Sequence, residues 1–250
     1  MKVTLLGTGF ALPSAKRAQS GILVETRENL ILFDLGAGVL HRLEQSSYNL
    51  EDITHVFFTH HHLDHDSDFM VLLKARWLRG RRELQVFGPV GTKEWLTKLL
   101  EAYPYLKGRV TVKTRELEDR ARVKLGRDVV EARENKHSLG GLAYRLTSLD
   151  VAVVYSGDTA PCRGVKELCI PGVELLIHEC SFPDAEGEKY ADHTTPTGLG
   201  RLISGMQVKK LVLTHFSPIA EEGLEEMVSV LKKHFKGEVI IGEDLMELRL

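Results

Sequence analysis

The chain has 250 residues, 43% of them hydrophobic, and 33 Lys and Arg against 35 Asp and Glu give a net charge of −2. That length buries a sizeable core without staples, and the composition excludes a disordered chain and a surface coated in basic residues for nucleic acid. Cys162, Cys169 and Cys180 are too few and too closely grouped for a disulfide framework. No apolar run reaches the ~20 residues of a bilayer span, and the N-terminus lacks the length and cleavage site of a signal peptide, so a reduced, cytoplasmic, globular protein is expected.

In chain order, short aliphatic runs bounded by turn residues predict strands over Val3–Leu6, Gly21–Thr26 and Leu30–Asp34. A helix over Val39–Ser46, a strand over His55–Thr59 and a helix over Asp66–Leu78 follow. Next come a strand over Leu84–Phe87, a helix over Thr92–Ala102, and strands over Val110–Thr114, Val129–Glu134, Ala143–Thr147, Val151–Ser156 and Glu174–His178. The pattern ends with a helix over Pro196–Met206, a strand over Lys210–Thr214, a helix over Leu224–Phe235 and a strand over Glu238–Gly242. Helices spread along the chain rather than gathered at one end predict an α/β or α+β unit across residues 1–250, with layered sheets under outer helices.

Histidine is the outlier: there are 11, and His60, His61, His62 and His65 crowd into six positions. They follow the apolar run Val56-Phe57-Phe58. In an extended segment i and i+2 face the same way, so His60 and His62 can share a metal while His61 faces away. Asp64 and His65, where a helix begins, can turn back toward a neighbouring ion. Alone, the run also reads as a His-rich surface turn. Three further residues weigh against that: His137, Asp158 and His215 each follow an apolar strand, and strand ends are where such architectures place sites. Imidazole and carboxylate donors without cysteine suit zinc, iron or manganese.

His60-x-His62-x-Asp64-His65, then His137, Asp158 and His215 in that order, resemble the metallo-β-lactamase-fold hydrolases. Leu6-Gly7-Thr8-Gly9, Phe33-Asp34-Leu35-Gly36, Ser156-Gly157-Asp158-Thr159 and Leu213-Thr214-His215-Phe216-Ser217-Pro218 resemble the ribonuclease Z branch, over essentially the whole chain. The resemblance implies a four-layer αββα sandwich with two divalent metal ions at one edge, zinc first, with manganese or iron as alternatives. By motif, His60, His62 and His137 would hold the first ion, Asp64, His65 and His215 the second, and Asp158 would bridge them. A water or hydroxide between the ions would be the nucleophile. Asp64 either orients that water as well or serves only as a ligand. His193, in Asp192-His193-Thr194-Thr195-Pro196, resembles the family's extra histidine, placed to stabilise or protonate the leaving oxygen. It also reads as a residue of the helix entry beside Thr195. Glu179 resembles the family's acidic residue after the next strand, orienting His193 or serving the structure alone. The resemblance also implies a homodimer.

Two features depart from that branch. Its long form carries an arm that grips transfer RNA between the third histidine and the bridging aspartate. Here Asp158 comes only 21 residues after His137, in a segment that reads as a hairpin. Asp68 stands where the family has glycine, and with Asp66 it would repel a polyanion if it faced the site, or else serve a helix N-terminus. Two basic stretches pull the other way: Lys74, Arg76, Arg79, Arg81 and Arg82, and a mixed run from Lys107 and Arg109 to Arg127. Each is either a nucleic-acid contact or a solvated face. Trp77 and Trp95 are stacking platforms or core.

The leading expectation is therefore a metal-dependent phosphodiesterase, acting on RNA or on a small phosphodiester, with no membrane partner. The alternatives are hydrolysis of a thioester, lactone or sulfate ester by the same nucleophile, and a non-hydrolytic di-iron or accessory protein. A redox partner domain, which the last would need, is absent from the sequence. His193 and the Ser-Gly-Asp-Thr and Thr-His-Phe-Ser-Pro strings favour the phosphodiesterase.

Overall fold

In the computed structural model, which describes residues 1–250, the chain runs β1 (Lys2–Gly7), β2 (Gly21–Glu25), β3 (Leu30–Phe33), α1 (Val39–Gln45), β4 (His55–Phe57), α2 (Leu63–Asp66), α3 (Phe69–Leu78), β5 (Glu83–Pro89), α4 (Thr92–Ala102) and β6 (Thr111–Leu117). It continues through β7 (Arg122–Leu125), β8 (Asp128–Glu134), β9 (Leu142–Ser148), β10 (Val151–Tyr155), α5 (Arg163–Leu168), β11 (Val173–Glu179) and α6 (Pro196–Ile203). It closes with β12 (Val208–Thr214), α7 (Pro218–Glu221), α8 (Leu224–Leu231), β13 (Glu238–Ile241) and β14 (Glu247–Arg249).

The strands form two seven-stranded sheets, ordered β14-β1-β2-β3-β4-β5-β6 and β13-β12-β11-β10-β9-β8-β7. Strands β3 to β6 are parallel, as are β10 to β13, because a helix crosses over between most of these successive strands. The remaining pairs are antiparallel.

Alternate side chains feed opposite layers, as a period of two requires. In β12, Val212 joins the core between the sheets, while Leu211 and Leu213 pack under α5, α6 and α8. In β3, Ile31 and Phe33 face the other sheet, while Leu30 and Leu32 pack under α1, α3 and α4. Helices thus cover both outer faces, giving the four-layer αββα sandwich. Phe57 sits at the middle of the inner core, stacked on Phe87 at 4.5 Å and edge-on to Tyr144 at 5.4 Å. Truncating such a ring costs about 3–5 kcal/mol. No helix is long and apolar enough to cross a membrane.

The structure departs from the sequence expectations in one helix and in four further elements. The helix expected over Asp66–Leu78 starts three residues later, as α3, and a separate short helix, α2, precedes it, with Asp68 turning aside at the junction. Its Oδ2 accepts hydrogen bonds from Gly38 N at 3.1 Å and Leu40 N at 3.0 Å, capping α1. Strands β7 and β14 and helices α5 and α7 were not expected. The C-terminal ends of the parallel strands all point to one edge of the sandwich, and β8, antiparallel to β9, ends there too.

Candidate metal centre

That edge gathers the loops after β3, β4, β8, β10, β11 and β12. Gly36 lets the loop after β3 lie against the histidine loop: a Cβ there would collide with the Asp64 carbonyl oxygen. Leu35 N donates to His65 O at 2.7 Å, and Ser20 N to Asp64 O at 3.1 Å. Asp34 and His215 adopt left-handed backbone, φ 57° and 61°. Such positions cost of order 1–3 kcal/mol in non-glycine residues and gather at functional sites.

Two groups of donor atoms share Asp158. In the first, His60 Nε2 and His62 Nδ1 lie 3.0 Å apart, and His137 Nε2 and His62 Nδ1 3.2 Å apart. Asp158 Oδ2 stands 4.0 Å from both His60 Nε2 and His137 Nε2. In the second, Asp64 Oδ2 is 3.2 Å from His215 Nε2 and 3.5 Å from His65 Nε2. Asp158 reaches His65 Nε2 with Oδ1 and His215 Nε2 with Oδ2, each at 3.2 Å. Within each group every ligand atom lies within 4.8 Å of the others.

The far nitrogens of His60, His65, His137 and His215 are held by the protein. His65 Nδ1 donates to Asp34 Oδ2 at 2.8 Å. Thr59 Oγ1 donates to the same oxygen at 2.8 Å and so accepts from His60 Nδ1 at 3.0 Å. Ser181 Oγ donates to Glu179 Oε2 at 2.6 Å and accepts from His215 Nδ1 at 2.8 Å. His137 Nδ1 donates to Asp192 O at 3.2 Å. A proton fixed on the far nitrogen of these four leaves Nε2 facing inward as a metal ligand requires, while His62 turns Nδ1 inward.

The electrostatics differ between the imidazoles. Burial, helped by His65, pushes His60 well below its ordinary pKa, leaving a neutral imidazole. Burial would raise Asp158, but His215 and His65 hold it well below the carboxylate range. Burial would likewise lower His65, but Asp158 and Asp34 hold it well above, so a cation bound here would have to displace the proton on its Nε2. A dry pocket of carboxylates and oriented imidazoles, with no sulfur, fits a divalent cation.

His193 stands beside these groups, its ring 5.0 Å from that of His137 and 5.6 Å from that of His215. His193 Nδ1 donates to Glu179 Oε1 at 2.9 Å, leaving Nε2 without a protein partner on a side chain 11% exposed. Burial would lower this imidazole, but the Glu179 hydrogen bond and charge outweigh it and raise the pKa to about 9. Glu179 also accepts from Thr159 N, Ser181 N and Thr194 N, so it ties the loop after β10 to both ends of the connection from β11 to α6. Phe10 lies edge-on to His215 at 5.0 Å and to His193 at 5.7 Å, closing the rim.

All nine residues singled out in the sequence meet at this edge. His61 turns away, stacking on Trp95 at 4.4 Å and lying 2.8 Å from Thr92 Oγ1. Trp95 is therefore packing, not an open platform. Asp68 faces α1 rather than the site. Cys162 starts α5, and all three cysteines are free. Sequence reasoning assigned no role to Asp34, Thr59, Ser181 or Phe10. The signal for Asp34 was present, since a carboxylate ending the apolar strand β3 is the same pattern that drew attention to Asp158.

Fold and centre together define a metal-dependent hydrolase. The model of the beta-lactamase superfamily domain matches residues 29–216, and ribonuclease Z of Methanosarcina acetivorans is 30% identical, covering all of this chain and 98% of its own. The chain belongs to the beta-lactamase superfamily and, within it, to the ribonuclease Z family. That alignment spans 302 positions against 250 residues, so the relative carries insertions this chain lacks. The short form of human tRNase Z superposes with a TM-score of 0.79 at 26% identity, covering 100% of this chain and 99% of that one. YhfI of Bacillus subtilis, a metallo-beta-lactamase fold protein, superposes at 0.85 with 24% identity, covering 99% and 98%, and speaks for the fold alone.

Proposed function

We propose that this hydrolase cleaves phosphodiester bonds in RNA with two divalent ions, zinc first and manganese or iron as alternatives. His60, His62 and His137 would hold one, Asp64, His65 and His215 the other, and Asp158 would be shared. Two ions so held supply an acidified water as nucleophile and positive charge for the phosphate oxygens. The chain's own residues do the rest. Glu179 keeps His193 protonated and aims Nε2–H outward, where it can give a proton to the leaving oxygen. Asp34 and Ser181 fix the imidazoles in one tautomer. The observation that carries the reading is the Glu179–His193 pair set beside the two donor groups.

The names of the relatives, ribonuclease Z and tRNase Z, support RNA as substrate. Without an arm of the long kind, other contacts must hold it. A homodimer and a cytoplasmic setting belong to the same reading, and free cysteines fit a reducing compartment. A second reading, cleavage of a small phosphodiester, rests on one observation. A cleft of about 560 Å3 beside His60 is lined by Glu118, Asp119 and Glu134, which disfavour a long polyanion there.

The test uses purified protein loaded with zinc or manganese. It is assayed on bis(p-nitrophenyl) phosphate and on a transfer-RNA precursor with a 3′ trailer, beside His193→Ala. Cleavage of both, falling strongly in the variant, supports the RNA reading. Cleavage of the ester alone favours the small substrate. Cleavage of neither by a metal-loaded protein sinks the phosphodiesterase and turns attention to thioesters, lactones and sulfate esters.

A further inference from the structure

Four aromatic rings pack around His193, and they are not alike. The ring centre of His137 lies at 5.0 Å and that of His215 at 5.6 Å, and both carry donor atoms of the metal centre. Phe182 lies at 5.5 Å, is only 2% exposed, and has Tyr190 stacked on it at 3.8 Å. Phe10, at 5.7 Å, is partly exposed and belongs to no donor group. Its contacts with His193, His215 and Phe182 are all edge-type, at interplanar angles of 60°, 67° and 81°, so none of these rings lies flat on it. Leu12, two residues on, is 57% exposed and keeps this loop apolar.

The loop that carries Phe10 is held at its root. Asp244 Oδ1 accepts from Thr8 N at 3.1 Å and from Thr8 Oγ1 at 2.8 Å. Its Oδ2 accepts from Ala18 N at 2.7 Å and from Arg42 Nε at 2.9 Å. Gly9 N donates to Ala18 O at 2.8 Å, closing the loop. Phe216 N donates to Thr8 O at 3.1 Å, tying that root to the residue after His215. Arg17 turns inward, donating to Thr8 Oγ1 and Gly242 O, both at 2.6 Å, pairing with Glu221 and covering the Phe216 ring at 4.8 Å. The loop's arginine thus braces the scaffold, and the ring of Phe10 is fixed in advance, which lowers the entropy lost on binding.

As His193 gives its proton, the leaving oxygen sits within ~3 Å of Nε2. The group behind that oxygen meets the surroundings of His193, where Phe10 is the accessible ring. A partly exposed ring suits a flat, weakly polar group, and in RNA that group is a base. We infer that Phe10 is a binding residue for the leaving-group nucleotide, whose base stacks on its ring. The inference rests on the RNA reading of the metal centre.

The test is a cycle between the ring and the base. Wild type, Phe10→Ala and Phe10→Tyr, loaded to the same zinc content, are assayed on a transfer-RNA precursor with a 3′ trailer. The same RNA is made with an abasic ribose on one side or the other of the cut. Hydrolysis leaves a hydroxyl on the leaving fragment and the phosphate on the other, so the product ends identify the leaving-group nucleotide. On natural RNA, kcat/KM should fall roughly tenfold or more in Phe10→Ala, as loss of a base–aromatic stack does, and stay near wild type in Phe10→Tyr. Removing the leaving-group base should cost wild type a similar factor and Phe10→Ala little. Removing the base across the scissile phosphate should cost both equally.

Equal losses in Phe10→Ala on natural and abasic RNA would mean that Phe10 only packs His193 and His215, and overturn the inference. No loss on natural RNA overturns it too, as does coupling of Phe10 to the base across the phosphate instead. In each of these cases RNA is still cut, and the RNA reading stands. A wild type that cuts bis(p-nitrophenyl) phosphate but no RNA overturns both.

Discussion

Asp34 Oδ2 accepts a hydrogen bond from His65 Nδ1 at 2.8 Å, between side chains with no exposed surface. The same oxygen takes Thr59 Oγ1 at 2.8 Å and Tyr155 Oη at 2.9 Å, while Oδ1 takes Thr59 N at 2.8 Å. One carboxylate therefore orients both His65 and, through Thr59, His60. In Asp34→Asn an amide nitrogen would have to face donors. Asparagine tolerates the left-handed backbone as well as aspartate does, so the change isolates hydrogen bonding. Zinc affinity by chelator competition should fall about 10- to 100-fold. Wild-type affinity in the variant would mean that Asp34 only builds the loop.

Glu179 should set the pH range of catalysis through His193. With the imidazole pKa raised to about 9, the proton-bearing form persists through neutral pH and is lost as pH rises past that value. In Glu179→Gln the two largest upward influences are gone and only Asp158 and Asp192 still oppose burial, so the pKa drops toward the ordinary ~6.5. The descending limb of kcat/KM should move to lower pH by about two units, leaving activity at pH 8 down roughly 30-fold and much less affected at pH 6. A profile lowered equally at every pH would show Glu179 acting only through the loops it ties together.

Much of this centre is legible in the sequence because its donors end apolar strands, and a strand's end can be read from the pattern. The nearby Thr59 and Ser181 cannot be read that way. A hydroxyl that relays between a carboxylate and an imidazole has no periodicity, and its role exists only once β4 and β11 are set in their sheets. Strand β7 escaped for a related reason. Only Val123 and Leu125 are apolar, between Arg122 and Lys124, and half a strand facing the core makes a weak signal. Strand β14 has three residues and pairs with β1 at the edge. The break between α2 and α3 is set by Asp68 reaching across to α1, a tertiary contact.

Metal stoichiometry should separate the two donor groups. Wild type should bind two zinc ions per chain after dialysis, and His137→Ala and His215→Ala one each, from different groups. Asp158→Asn, which weakens both groups, should bind fewer than two ions. Zinc at about 100 times its Kd should stabilise wild type by roughly 2.7 kcal/mol, read as a rise in Tm, and EDTA should reverse it. One ion per chain in wild type, or no loss in either histidine variant, would contradict the dinuclear arrangement.

Arg76 tests whether the first basic stretch is one functional unit. It is only 6% exposed, and its guanidinium donates to Leu50 O, Glu51 O, Ile53 O and Glu83 O between 2.7 and 3.0 Å. It pins α3 to the turn before β4 and to the start of β5. Burial pulls its pKa down, yet the side chain stays charged. Arg76→Met keeps the aliphatic stem and leaves four carbonyl oxygens without their donor, at a cost of about 3–5 kcal/mol. Urea titration should show that loss. The salt slope of RNA binding, measured where the variant is folded, should match wild type, since a buried cation touches no phosphate. A variant as stable as wild type but with a shallower salt slope would place Arg76 on the RNA instead of in the scaffold.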